Sequence, residues 1–444
     1  MIRWHQYVAL SLLALPLAGC GLFDFGSSGS SSNANDTPAV EGDSGTVALP
    51  ALTKPIREIG GTAQIGPAQA RTTWPQSGGS ADHSLGHAAL SADPNLVWRN
   101  QVSTRMRRGR LATTEPLILG NFAFVLSWDL RVSALNLTDG SLMWRADLHP
   151  ANDSGGIFGG GMAAHGNVIY VTTGAGEIHA LRQSNGERVW TKPLAAPSHA
   201  GPLVYNGRLY VNDVNGNITA FSFNGAELWT KSSQQSLTSV LGAGTPAGGS
   251  NGVFDLSADG ILRAYLPSGG LAWQADTAVS GPAGRVSDVI SDTRALPIVQ
   301  GEMVLVSGWS NRTLAYDISS GTLLWEFPLG GAATPAVTNA HVFMVTKDGV
   351  LRALRRSDGA QIWSLDLGRE EVSRHVPTIG WQGPVLAGGN LIVGSSEGLL
   401  RFIDPVTGTN RHILDVRAPI VTPLTVASNT LLVTTSNGEI LAFR

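Results

Sequence analysis

Cysteine is almost absent from this chain: among 444 residues there is one, Cys20. A single thiol cannot form an intrachain disulfide, and no second cysteine is present to share a metal ion with it. Long apolar runs are scarce as well, since the stretch over residues 8–17 is shorter than the roughly 17–25 residues that a transmembrane helix needs. These absences exclude a disulfide framework and a membrane-spanning helix over residues 8–17.

Charged residues are also few, at 14% of the chain against a typical share of about 25%. The net charge is −3, which argues against a general nucleic-acid-binding protein. Glycine is abundant instead, with 54 residues, well above its usual share of about 7%. Few charges, many glycines and many Val, Leu, Ile and Thr residues indicate an all-β protein with tight turns.

The residues around Cys20 have the layout of a secretory signal. Arg3 supplies the basic end, residues 8–17 the short apolar core, and small residues precede the cysteine, which predicts a signal peptide over residues 1–19. The sequence LAGC at residues 17–20 resembles a bacterial lipobox, which implies that Cys20 is acylated and becomes the mature N-terminus. The alternative is an ordinary secreted protein with a chance cysteine.

The lipobox resemblance also implies a location. Lipoproteins of this kind carry three acyl chains, which implies a durable anchor, whereas one chain alone anchors only marginally. Residue 21 is Gly rather than Asp, which by the sorting pattern of such lipoproteins implies the outer membrane. We therefore expect a lipid-anchored protein on the periplasmic face of the outer membrane.

Composition divides the rest of the chain in two. Residues 26–36 read GSSGSSSNAND, and such a segment cannot bury enough apolar surface to offset the entropy of ordering it. We expect a lipidated N-terminus and flexible tether over residues 20–70 and a folded domain over residues 71–444.

The folded part repeats itself. Seven segments carry a glycine four residues before their last residue, which is tryptophan in six of them and His412 in the seventh, and an earlier tryptophan, Trp98, lacks the glycine. The average spacing from Trp98 to His412 is about 45 residues, within the range of four-stranded propeller blades. The repeated tryptophans, expected to pack structurally between neighbouring sheets, are Trp98, Trp144, Trp190, Trp229, Trp273, Trp325 and Trp363.

The strands within a repeat are marked by turns. In residues 202–229, Asn206-Gly207 and Asn215-Gly216 separate short apolar segments, and Asn-Gly between β-formers is a strong hairpin signal. Inner-strand sets and outer strands both number eight. The chain ends after three strands of its last blade and begins with an orphan outer strand at Trp98. We therefore predict an eight-bladed β-propeller of four-stranded antiparallel blades, closed by pairing of its N-terminal and C-terminal strands.

Catalytic and metal motifs are weak. Two G-x-S-x-G matches, at residues 248–252 and 394–398, fall in predicted hairpin turns rather than in the strand-to-helix turn that a nucleophile elbow requires. His83 and His87 are four residues apart but have no third ligand nearby. The basic run at residues 105–110 is expected to be a solvated loop, or alternatively a contact for an acidic partner or anionic headgroups.

The tryptophan-ended segments resemble the repeat of PQQ-type propellers, and the folded region is similar to the BamB family, lipoprotein subunits of the outer-membrane β-barrel assembly machinery. That resemblance implies a non-enzymatic scaffold without cofactor or metal, monomeric within a hetero-complex. It also implies partners, namely the barrel subunit BamA and other assembly subunits, but no nucleic acid.

Partner-binding residues also follow from the resemblance. Arg285 and Asp288 match the family's R-x-S-D-V, although two residues separate Val289 from the next acid, Asp292. In a second contact region the family has L-x-L-R-G, where this chain has TSVLGAG, with Val240 and Leu241 but no arginine.

Two other functions stay open from sequence. PQQ-dependent dehydrogenases share the repeat, but they use a vicinal cysteine disulfide that a chain with one cysteine cannot form. A periplasmic binding propeller for sugar or peptidoglycan is the other alternative. It would need exposed aromatic residues in one funnel, whereas most tryptophans here belong to the repeat.

Overall fold

The computed structural model describes residues 55–105, 114–150, 159–233, 244–250, 252–257, 259–277, 295–308, 312–368 and 380–444. All of them belong to the second of two compact units, Ala51–Arg444, and the first unit, Met1–Pro50, lies outside the described residues. The described residues form β-strands and one short 3-10 helix, Ser77–Gly79.

Two strands precede the first repeat, β1 (Thr73–Trp74) and β2 (Leu96–Gln101). Blade 1 contains β3 (Leu117–Leu119), β4 (Phe122–Leu126), β5 (Arg131–Asn136) and β6 (Leu142–Asp147). Blade 2 contains β7 (Gly160–His165), β8 (Val168–Thr173), β9 (Glu177–Arg182) and β10 (Arg188–Pro193). Blade 3 contains β11 (Leu203–Tyr205), β12 (Arg208–Asn212), β13 (Asn217–Phe221) and β14 (Glu227–Ser232).

Blade 4 contains β15 (Ala247–Gly249), β16 (Gly252–Leu256), β17 (Ile261–Tyr265) and β18 (Leu271–Asp276). Blade 5 contains β19 (Ile298–Gln300), β20 (Met303–Gly308), β21 (Arg312–Asp317) and β22 (Leu323–Phe327). Blade 6 contains β23 (Ala336–Val337), β24 (His341–Val345), β25 (Val350–Arg355) and β26 (Gln361–Asp366). Blade 7 contains β27 (Trp381–Ala387), β28 (Asn390–Ser395), β29 (Leu399–Ile403) and β30 (Asn410–Asp415). Blade 8 contains β31 (Thr425–Ala427), β32 (Thr430–Thr434) and β33 (Glu439–Phe443).

The two ends of the chain close the ring. Strand β2 pairs antiparallel with β33 and is the outer strand of blade 8, with Trp98 opposite Ala442. Next to this pairing, Asn95 N donates to Arg444 O over 2.7 Å. Pairing with β2 covers the edge of β33 and gives blade 8 the same four strands as the other blades. The predicted eight-bladed propeller, sealed by its terminal strands, is therefore confirmed.

Tight turns keep the strands within each blade in register. The Asn206-Gly207 turn between β11 and β12 has positive φ at both residues, 46° and 74°, as the predicted two-residue hairpin requires. Because strands alternate in direction, the turns between first and second strands share one end of the ring, which we call the turn face. The connections from one blade to the next lie at the opposite end, which we call the loop face.

The segment before β1 differs from the expectation of a flexible tether through residue 70. Ile59 N donates to Gln361 O over 2.9 Å, and Ala63 N donates to Val406 O over 3.0 Å. His341 Nδ1 lies 2.9 Å from Gln64 O, and Ala63 is buried. Residues 55–70 are thus held on blades 6 and 7, which composition could not reveal because backbone hydrogen bonds and a few apolar contacts hold them.

Candidate interaction surfaces

Seven of the seams between blades contain the same kind of hydrogen bond. In each, the indole N–H of the outer-strand tryptophan donates to a backbone carbonyl of the following blade. The pairs are Trp98 with Leu137 (2.8 Å), Trp144 with Gln183 (2.9 Å), Trp190 with Phe223 (3.1 Å), Trp229 with Pro267 (3.1 Å), Trp273 with Ile318 (2.9 Å), Trp325 with Arg356 (2.7 Å) and Trp363 with Pro405 (3.1 Å). The polar atom of each buried or half-buried ring is therefore satisfied.

The glycine of each repeat receives the tryptophan of the preceding blade. At Gly359, φ is +68° and an added Cβ would lie 2.6 Å from Cε3 of Trp325. A side chain there would therefore clash with the indole and strain the backbone. The same arrangement recurs between the other pairs, which are Trp98–Gly140, Trp144–Gly186, Trp190–Gly225, Trp229–Gly269, Trp273–Gly321 and Trp363–Gly408.

The eighth seam, between blades 7 and 8, is different. Its outer-strand residue is His412, whose ring stacks on Phe402 with centroids 4.1 Å apart and an angle of 12° between planes. Its Nε2 lies 3.6 Å from Oδ1 of Asp93. The neighbouring outer strand, β2, comes from the N-terminal segment, so no hairpin with a glycine precedes it. This seam therefore lacks both the glycine and the acceptor carbonyl of the other seven.

The N-terminal segment covers the turn face and the centre of the ring there. Strand β1 pairs antiparallel with β3, the innermost strand of blade 1. The segment then accepts hydrogen bonds from the inner strands of the next blades, as Pro75 O from Ala164 N (2.7 Å), Gln76 Oε1 from Val204 N (2.7 Å), Ala81 O from Gly248 N (2.7 Å) and Asp82 O from Val299 N (2.8 Å). Ala88 N also donates to Leu386 O of blade 7 over 2.9 Å. We call residues 73–88 the central plug, because they join six blades at the middle of this face.

Two titratable side chains are buried at the central plug. Burial raises the pKa of Glu115 to about 8, although the N–H of Gly78 donates to its carboxyl. Burial also lowers the pKa of His83 to about 4, despite a hydrogen bond between its Nδ1 and Pro297 O over 2.7 Å. Burial thus disfavours the charged form of both groups, and the Asp82 carboxylate offsets only part of its effect on His83.

His83 and His87 are each engaged by the backbone. His87 Nδ1 lies 2.8 Å from Gly66 O, and its Nε2 accepts from Gly389 N over 2.9 Å. Both rings thus bond to the backbone. Within the ranges that the structure describes, no cluster of three or more His, Cys, Asp or Glu side chains could hold a metal ion.

The serine motifs lie in hairpins. Residues 248–252 join β15 to β16, and residues 394–398 join β28 to β29, so neither has the geometry of a nucleophile elbow. No helix in the described part of the chain is long and apolar enough to span a bilayer.

The residues expected to bind a partner lie outside the described residues. Val240 and Leu241 fall between β14 and β15, and Arg285 and Asp288 fall between β18 and β19. Cys20 and most of the basic run at residues 105–110 are also outside them. The two inter-blade connections join blades 3, 4 and 5 in order, so their flanking strands end on the same loop face.

The fold and its seams define the class of the protein. It is an eight-bladed β-propeller of tryptophan-docked repeats, with one face covered by its own N-terminal segment. The chain belongs to the family described as outer membrane protein assembly factor BamB, whose model matches residues 128–365 and 347–444. The family resemblance seen in the repeats is therefore confirmed.

Individual proteins show the same relation. The BamB of Yersinia pestis is 24% identical over 367 residues, covering 79% of this chain and 88% of that protein. The crystal structure of BamB from Moraxella catarrhalis matches with a TM-score of 0.67 and 21% identity, covering 79% of this chain and 100% of that one. A europium-containing methanol dehydrogenase has a TM-score of 0.66 at 14% identity, covering 84% and 98%. The fold is thus common to an assembly factor and an enzyme and does not decide between them.

Proposed function

We propose that this protein is a non-enzymatic scaffold in the assembly and insertion of β-barrel proteins into the outer membrane. The observation that carries the proposal is the match to the BamB family over most of the propeller. The tryptophan seams also support it. They give a rigid ring whose inter-blade loops are free to vary, and loops on a rigid frame commonly carry binding functions.

The protein acts at the periplasmic face of the outer membrane, held by lipid on Cys20. The lipobox-like sequence supports this location. Replacing the cysteine in Cys20→Ala should yield protein that no longer fractionates with outer membranes after lysis. Intact-mass analysis of the wild-type protein showing an unmodified cysteine would refute the anchor.

The barrel subunit BamA binds at the loop face, with Arg285 and Asp288 on one inter-blade connection and Val240 and Leu241 on the connection before it. These connections begin and end on neighbouring blades, which supports one continuous contact. Removing one partner of a desolvated charge pair costs roughly 2–5 kcal/mol, so Asp288 is the most sensitive position.

Asp288→Arg should abolish co-purification with the barrel subunit and leave the thermal unfolding midpoint nearly unchanged. Glu302→Arg is the matched control, because Glu302 is exposed on the turn face of the following blade and its substitution should leave co-purification intact. A Val240/Leu241 double alanine variant tests the apolar part of the contact. Normal binding by both loop-face variants would place the contact elsewhere on the ring.

A further inference from the structure

Every outer strand carries a β-bulge at one position. The strand pairing skips the residue just before the seam tryptophan or His412. The skipped residues are Val97, Met143, Val189, Leu228, Ala272, Leu324, Ile362 and Arg411. Seven of the eight are apolar although they lie at the rim of the ring, so packing within the blade does not account for their chemistry.

Blade 6 shows how an extended segment can lie along such a rim. Its bulge residue, Ile362, is only 8% exposed. Residues 57–59 run parallel to the start of β26, where Ile59 N donates to Gln361 O and Gln361 N donates to Arg57 O, both over 2.9 Å. The Gln361 amide also donates to Oε1 of Glu58 over 2.8 Å. An extended segment of the chain itself thus forms a parallel β-bridge beside the bulge.

The matching positions on other blades are open. Val97 is 47% exposed, Met143 53% and Leu324 52%. Aliphatic residues also precede the bulge in these three blades, as Leu96, Leu142 and Leu323, and each of them is about half exposed. Blades 8, 1 and 5 therefore present paired apolar residues at the edge position beside which residues 57–59 lie in blade 6.

Blades 8 and 1 differ from blade 5 in charge. The rim sequences are Leu-Val-Trp-Arg at residues 96–99, Leu-Met-Trp-Arg at residues 142–145 and Leu-Leu-Trp-Glu at residues 323–326. Arg99 and Arg145 are exposed, and the ion pair of Arg99 with Glu439 is long, at 3.7 Å, so it is easily replaced. Two neighbouring blades thus combine an open apolar edge with a cation.

We propose that the outer edges of blades 8 and 1 bind an extended segment of a partner protein, which adds as a short parallel strand. An aliphatic side chain of the segment covers Val97 or Met143, and an acidic side chain pairs with Arg99 or Arg145. Backbone hydrogen bonds supply affinity in such strand addition and side chains supply specificity. This surface lies on the rim, goes beyond the proposed loop-face contact and does not depend on it.

A fluorescein-labelled peptide with the sequence Gly-Ile-Glu-Ile-Asp-Gly tests the proposal by anisotropy with the full chain. We expect saturable binding that a Val97→Asp/Met143→Asp double variant weakens at least about tenfold. The matched control is Leu324→Asp, which makes the same change on blade 5 and should leave binding unchanged. All three positions are half exposed, so near-UV circular dichroism should be unaltered.

Charge reversal gives a second measurement. An Arg99→Glu/Arg145→Glu variant should lose the acidic peptide and gain a peptide in which lysines replace the acids. Absence of saturable binding at millimolar peptide would overturn the proposal, as would equal weakening by Leu324→Asp. Co-purification with the barrel subunit should be normal in the Val97/Met143 variant, which separates this test from that of the loop face.

Discussion

In seven seams a tryptophan of one blade packs against the next blade, and in the eighth seam His412 occupies the corresponding position. In the seven, the hairpin between the third and fourth strands supplies both the glycine under the indole and the carbonyl that accepts its N–H. Blade 8 receives its outer strand, β2, from the N-terminal segment. The seam between blades 7 and 8 therefore has no hairpin between a third and a fourth strand. His412 instead contacts Phe402 and lies near the Asp93 carboxylate.

The comparison shows that ring closure and seam packing are separate contributions. The strand pair β2–β33 completes blade 8 through backbone hydrogen bonds. It also brings Trp98 to blade 1, where Leu137 O accepts from both the indole and the Arg444 guanidinium. The terminal strands therefore complete one tryptophan seam, while leaving the neighbouring seam with a smaller, polar ring.

The largest effect is expected from removing the sealing strand. Deletion of residues 94–102 takes away β2 together with Trp98, which exposes the edge of β33 and empties the indole site on blade 1. Exposed edges promote association with other chains, so the protein should aggregate or form oligomers in light-scattering chromatography. Deletion of residues 55–59 is the control and should leave a monomer, because blade 6 keeps its four strands. A monomeric 94–102 deletion would contradict closure by the termini.

The next largest effect is expected from truncating a seam tryptophan, and the same truncation at the eighth seam should have a smaller effect. Trp325→Ala should lower the free energy of unfolding by about 3–5 kcal/mol, the usual range for truncating a buried aromatic side chain. His412→Ala should cost less, about 1–2 kcal/mol, because the imidazole is smaller and partly exposed. Urea titration followed by circular dichroism measures both. Equal losses would show that the eighth seam is as tightly packed as the others.

The pH dependence of stability separates the central plug from the seams. The tryptophan–glycine pairs contain no titratable group, whereas Glu115 and His83 are buried at the plug. Glu115, with its pKa raised to about 8, holds a proton in the folded state that the unfolded chain releases above about pH 4.5. The contribution of protonated Glu115 to the free energy of unfolding is therefore lost as pH rises toward 8. His83, with its pKa lowered to about 4, has the opposite effect below pH 6.5.

Glu115→Gln should remove this loss at higher pH. Relative to the wild type, the variant should gain about 2 kcal/mol between pH 6.5 and pH 8, at roughly 1.4 kcal/mol per pH unit. Urea titrations of both proteins at a series of pH values give the difference directly. A wild-type-like pH profile for Glu115→Gln would mean that another group sets the dependence.

The smallest effect is expected from His412→Trp. The indole adds apolar surface, but the eighth seam has neither the glycine nor the acceptor carbonyl that the other indoles use. We expect a change in the free energy of unfolding within about 1 kcal/mol of zero. A gain as large as the loss in Trp325→Ala would show that the eighth seam can form the same contact without its hairpin.

Sequence periodicity predicts much of this architecture because blades repeat locally. The spacing of tryptophans and glycines predicts eight blades, and Trp98 without its glycine predicts the sealing strand. The same spacing places each glycine beside, in sequence, the tryptophan four residues later. In the structure the glycine instead receives the tryptophan of the preceding blade, as Gly359 receives Trp325.

The candidate surfaces were likewise predicted from the sequence only in part. Arg285, Asp288, Val240 and Leu241 come from a family resemblance, and their chain positions alone assign them to two successive inter-blade loops. Nothing in composition distinguishes residues 57–59, which hydrogen-bond to Gln361 at the rim of blade 6, from the rest of the predicted tether. The apolar bulge residues are visible in the sequence, but their exposure depends on what packs against each rim.

By itself, the sequence determined the class of fold, the number of blades and the strand that seals them, because these follow from turns and periods within about 45 residues. Tertiary structure decided which glycine meets which tryptophan, where the N-terminal segment lies, and that Glu115 and His83 are buried together with the central plug. Those outcomes depend on contacts between groups far apart in the chain, and the burial that shifts a pKa exists only once the ring has closed around them.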